Sequence, residues 1–173
     1  MNEYTQSDSA SGRKFCLPQD KSQVFTFARD LVEDFAVSVT GEKEFRQETH
    51  GMTNLQLILM LYPIANYIAM NGNAKTEYKI LDIGSGSVGD SKECDSDNWL
   101  SARKGKAPSF RPWLARVLHH AGLHVTAVDY GCLQGEPYKC YTSDLLEEDA
   151  LREIPDGGID IAHSRLLFTS PQL

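Results

Sequence analysis

Hydrophobic positions between Gln23 and Val39 fall at Val24, Phe27, Ala28, Leu31, Val32, Phe35 and Val39. That three-and-four spacing predicts a helix with one buried face, closed by Gly41. A second helix is expected from Thr53, read as its N-cap, to about Met70, with a kink at Pro63 and an end at Asn71-Gly72-Asn73. It is apolar on most sides, so it should be largely covered. At Tyr78 the character changes. Lys79-Ile80-Leu81-Asp82-Ile83 reads as a short buried strand, followed at once by Gly84-Ser85-Gly86-Ser87-Val88-Gly89. Residues 90–109 are polar and without period, as in an inserted loop. Pro112 suits the first turn of a helix running to His120, with Gly122 as its stop.

Further on, Val125-Thr126-Ala127-Val128-Asp129 predicts a second strand ending in a Tyr130-Gly131 turn, and Tyr138 to Thr142 a third. Asp144 and Glu147 have capping-box spacing and should start a helix that ends before Pro155. Asp156-Gly157-Gly158 then turns the chain into a fourth strand, Ile159 to His163. Strands alternating with helices imply βαβ units of fixed handedness. The expected architecture is α/β: a three-layer sandwich with a mostly parallel sheet of about four strands, preceded by two N-terminal helices. Residues 1–20, polar and poor in apolar anchors, read as a disordered tail, 21–77 as a helical cap and 78–173 as the sheet domain.

Composition narrows the function classes. The 173 residues are 41% hydrophobic and 24% charged, as in ordinary globular proteins. A net charge of −7 argues against nucleic acid, which needs clustered Lys and Arg; Arg103, Lys104 and Lys106 read as a solvated loop. The apolar run Leu55 to Met70 is broken by Gln56, Pro63 and Asn66 and is too short to span a bilayer. Cys16, Cys94, Cys132 and Cys140 are scattered, and the polar N-terminus has no apolar leader, so a reduced cytoplasmic protein is expected. His119, His120, His124 and Cys132 match no zinc spacing, and no metal site is expected.

The chemistry concentrates around the glycine turn. Residues without Cβ let the backbone fold tightly and approach a ligand, here at the carboxyl ends of the strands, where open α/β sheets bind. A G-x-G-x-x-G match alone fits dinucleotide enzymes equally well. Asp82 lies inside the strand two residues before the first glycine, and a carboxylate there must be paired. Asp129 ends the second strand, where it could accept two ribose hydroxyls or be an ordinary turn residue. Asp144 follows the third strand, at the depth of an adenine edge, or serves as a helix N-cap.

A strand, a glycine turn, and acids at the ends of strands two and three make residues 78–170 resemble a class I, Rossmann-like, S-adenosylmethionine-dependent methyltransferase. The resemblance implies that Asp82 and the Gly84 backbone, within the Gly84-Ser85-Gly86 to Gly89 turn, hold the amino-acid end of S-adenosyl-L-methionine. Gly86 would let the methionyl chain pass. Asp129 would grip the ribose with Tyr130 near the adenine, Asp144 would accept from the adenine amino group, and Leu145 would offer its backbone N–H. His163 ends the fourth strand, which in this family faces the transferred methyl group. It could deprotonate an acceptor, although in-line methyl transfer needs chiefly alignment of the two partners.

Two departures stand out. Some twenty residues separate the turn from the next helix, as a lid or a surface excursion. Family members also continue with three more strands, whereas this sequence ends about ten residues past the fourth. That strand is therefore expected to be an exposed edge, covered by the N-terminal helices or by a homodimer or partner chain, or else left by truncation. The implied activity is methyl transfer to a small-molecule acceptor. Its rivals are a non-catalytic S-adenosylmethionine-binding module or remnant needing a partner, and an NAD-dependent oxidoreductase. The last is disfavoured because the acid expected about 20 residues after the turn falls instead at Asp129. Phe25, Phe27, Tyr62 and Tyr67 could line an aromatic acceptor pocket, with core packing the default at helical spacing.

Overall fold

The structure, a computed structural model, describes residues 17–38, 45, 50–71, 77–86, 111–129, 131, 133, 135–145, 147–154 and 157–164. Helices α1 (Lys21–Ser38) and α2 (His50–Asn71) precede strand β1 (Lys79–Ile83). Helix α3 (Trp113–His120), β2 (His124–Asp129), β3 (Lys139–Thr142) and β4 (Ile161–Ser164) follow. All four strands are parallel, in the order β3-β2-β1-β4. The expected α/β architecture, two helices and then a four-stranded parallel sheet, is the observed one. The insertion at 90–109 and residues 1–16 of the tail expected at 1–20 lie outside the described residues; within that tail, Leu17 packs against the core.

Local chemistry sets the element ends. Asp20 caps α1, its carboxylate accepting the Ser22 N–H at 2.6 Å, which holds the carboxyl below its usual range. Helix α3 stops in a Schellman arrangement: Gly122 (φ 80°) donates to the His119 carbonyl at 2.8 Å and Leu123 to that of Leu118 at 3.1 Å. Thr53, expected as a cap, is instead buried within α2, which begins at His50. Pro63 lies inside the same helix.

The helix expected from Asp144 does not form among the described residues. In its place run successive turns closed by i to i+3 bonds, from Glu147 to Asp144, Ala150 to Glu147 and Arg152 to Asp149. Glu147, Glu148 and Asp149 repel one another, and Leu151 is 39% exposed, so no buried apolar face stabilises so short a helix.

Val24, Ala28, Leu31, Val32 and Phe35 of α1 share one core with Leu57, Leu61, Ala65 and Ile68 of α2, Trp113, Val117 and Leu118 of α3, and Ile80, Val125 and Ala127 of the sheet. Phe45 wedges edge-on to Phe35 (5.2 Å between centroids) and against Trp113 (5.0 Å). Helix α1 is tied to the end of α3 by the His120 Nε2 contact with Asp34 Oδ2 at 2.8 Å. Only one face of α2 is covered, contrary to the expectation from its composition. Phe25, Tyr62 and Tyr67 are likewise 59%, 41% and 60% exposed rather than packed in the core.

On the far side of α3, the Arg116 guanidinium grips the carboxylate of Glu136 through Nε and Nη2 and stacks 4.8 Å over the Trp113 ring. Burial works against the Arg116 charge. The hydrogen bonds and charge of Glu136 outweigh it and hold the guanidinium above its usual range. Burial also pushes the neighbouring Tyr138 phenol up. The Glu136 side chain is only 4% exposed, so breaking the pair strands a buried charge. Glu136→Gln is expected to lower stability by about 3 kcal/mol, whereas replacing both partners by Met should change it by less than about 1 kcal/mol. Urea unfolding midpoints of the two variants check this.

Candidate functional site

Strand order reverses at β1: the chain proceeds outward to β2 and β3, then returns to place β4 on the other side. A crevice at the carboxyl ends of such strands is where open α/β sheets bind ligands. Side chains alternate along strands, so Asp82 shares the face of Ile80, Asp129 that of Ala127, and His163 that of Ile161. Those three apolar residues pack in or against the helical core. The polar residues therefore end the sheet face that carries the helices.

Asp82 and His163 are register partners on β1 and β4, with His163 Nδ1 2.9 Å from Asp82 Oδ1. Both are shielded, at 4% and 12% side-chain exposure. The carboxylate accepts, so Nδ1 carries the proton. The remaining nitrogen, Nε2, is then the one that can accept a proton. The resemblance implied a ligand ammonium as the cation for Asp82. The fold supplies an internal donor that only strand order reveals.

The glycine turn is tied to β2 rather than left open. Gly84 (φ 71°) and Ser85 donate their N–H groups to the Val128 carbonyl at 2.8 and 3.2 Å. Gly86 (φ 97°) donates to Asp129 Oδ2 at 2.8 Å, and the other oxygen of that carboxylate accepts the Gly131 N–H, also at 2.8 Å. The Asp129 carbonyl accepts from Ser143, joining the end of β3 to the same knot. Positive φ at Gly84 and Gly86 is a conformation that side-chain-bearing residues adopt only with strain.

Three consecutive N–H groups of the turn are thus spent inside the protein. Within the described part of the turn, Gly84 to Gly86, what the main chain can still offer a ligand is carbonyl oxygen. Carboxylates stand at the end of each inner strand, Asp82 in β1 and Asp129 in β2, and Asp144 follows β3 half-buried. The described part of this site favours a cation. A pyrophosphate would require donors that are already used.

The structure brings Gly84, Ser85, Gly86 and Asp129 together at one turn and Asp82 together with His163 in the adjacent strand pair. Asp144 and Leu145 follow β3, on a turn and not at a helix N-terminus, so Asp144 does not cap an α-helix there. Gly89 and Tyr130 lie outside the described residues. Gly131 and the Val128 carbonyl were missed by sequence reasoning because main-chain partners carry no residue-type signal. Among the described residues no group of three His, Cys, Asp or Glu is arranged to hold a metal ion, and no helix is long and apolar enough to cross a membrane.

Asp129→Asn keeps the side-chain shape but sets an NH2 group against a backbone N–H. It is expected to destabilise the fold by about 1–3 kcal/mol. Amide exchange at Gly86 and Gly131 should accelerate together, measured by NMR; unchanged protection at both would refute the cross-link. Compared with known protein families, with curated proteins and with solved structures, the chain matches none.

Proposed function

We propose that the chain binds S-adenosyl-L-methionine and transfers its methyl group to a small-molecule acceptor. The observation that supports this reading most is the polarity of the glycine turn. Its Gly84, Ser85 and Gly86 N–H groups are consumed by Val128 and Asp129, while carboxylates line the strand ends. S-adenosylmethionine carries an ammonium and a sulfonium, and such an end attracts it. NAD brings a pyrophosphate, which the same charges oppose.

In this reading the Asp82 carboxylate and the turn carbonyls hold the ammonium. Asp129 meets the ribose, and Asp144 the adenine amino group. When bound, the cofactor supplies a methyl group on a good sulfur leaving group. His163, oriented by Asp82 through Nδ1, presents Nε2 as the base. As an acceptor oxygen or nitrogen forms its bond to the methyl carbon, its proton passes to Nε2. The methyl carbon would leave sulfur with the bonding electrons staying on sulfur, so that S-adenosylhomocysteine would be the other product. Orientation of the two partners carries most of the rate, and the base contributes about 10²–10⁴-fold.

Calorimetric titration with S-adenosylhomocysteine, with NAD in parallel, tests the reading. Micromolar binding of the homocysteine compound and none of NAD is expected, with affinity reduced about tenfold in Asp144→Ala, the worth of one hydrogen bond. Asp144 is the better probe than Asp129, whose carboxylate also holds the turn together. No binding by the folded chain, or preference for NAD, would overturn the proposal.

A further inference from the structure

Helix α2 contains no charged residue in its 22 positions. Its inward face buries Thr53, Leu57, Met60, Leu61, Ala65 and Ile68. The outward face is apolar as well: Met52, Leu55, Leu59, Tyr62, Tyr67 and Met70 are 41–76% exposed. At about 100° per residue these six fall within one side of the helix, and Met52, Leu55, Leu59, Tyr62, Asn66 and Met70 follow one another at intervals of three or four. This is the seam spacing by which helices pair, with a single polar residue, Asn66, on it.

We infer that this face of α2 is the contact between two copies of the chain, related by a two-fold axis near Leu59 and Tyr62. Taking about 200 Å² for a large side chain, the six residues expose roughly 650 Å² per copy, approaching the ~800 Å² per partner of a stable interface. Monomeric proteins seldom leave an apolar patch larger than about 300–600 Å². A two-fold contact sets the same patch against itself, so like charges on it would meet and repel. Helix α2 has none, which makes self-apposition free of that penalty. A lipid surface is the poorer occupant, because interfacial helices bring Lys and Arg to the bilayer and α2 carries neither. The contact is independent of the methyl-transfer reading.

The test is sedimentation equilibrium of the full chain, with Leu59→Glu and Leu59→Lys variants. Leu59 is 59% exposed, so both variants should keep the wild-type circular dichroism. Wild-type chain is expected to be dimeric at micromolar concentration, and either variant alone should dissociate at least 100-fold more readily. Mixing the Glu and Lys variants should restore dimer, because residue 59 lies near the axis. A monomeric wild-type chain, a dimer that persists in Leu59→Glu, or a wild-type chain that stays monomeric while co-sedimenting with neutral lipid vesicles would each overturn the inference.

Discussion

A buried carboxylate must find donors, and Asp129 takes them from two separate stretches of main chain, Gly86 before α3 and Gly131 after β2. That requirement fixes the path of the backbone on both sides of the β2 end. Because Gly84 and Ser85 also donate to Val128, the turn after β1 is folded against the neighbouring strand. The link from Ser143 to the Asp129 carbonyl extends the constraint to β3. The carboxyl ends of three strands are thereby held as one unit, and the polarity of the site follows from which groups that unit leaves over.

On the helical side the constraints are of another kind. Phe35, Phe45 and Trp113 interlock edge to face where α1 and α3 meet, and Arg116 stacks on the outside of Trp113 while gripping Glu136. Glu136 lies on the short stretch that leads from β2 to β3, so the pair anchors that crossover to α3. Close-packed aromatic surfaces resist deformation. The face of the sheet beneath Asp82 and His163 therefore rests on a stiff layer.

Helix α2 shows how one element can serve two surfaces. Its apolar residues run right round the cylinder, so the inner half joins the core while the outer half stays at the surface among the described residues. The outer half takes no part in the buried core, so association through it, as inferred above, would leave the core packing intact.

Periodicity was enough to place α1, whose marked positions Val24, Ala28, Leu31, Val32 and Phe35 are buried, although Phe27 is only half-buried and Ala36 joins them unmarked. The apolar run of β1 and the glycine turn that follows it placed that strand. Gly122 announced the end of α3 because few other residues tolerate its φ. The candidate site was legible as residue types: acids near the ends of three strands and glycines between them. The partners were decided by tertiary structure. Asp82 meets His163, 81 positions away, only because β4 lies beside β1 in parallel register. Asp129 meets Gly86 only because β2 lies on the other side. The helix expected after Asp144 failed for the converse reason: a capping signal is local, but a short acidic segment becomes helical only where the fold offers an apolar surface to cover it. Local preference names the residues that must find partners, and strand order, a property of the whole chain, selects which ones they find.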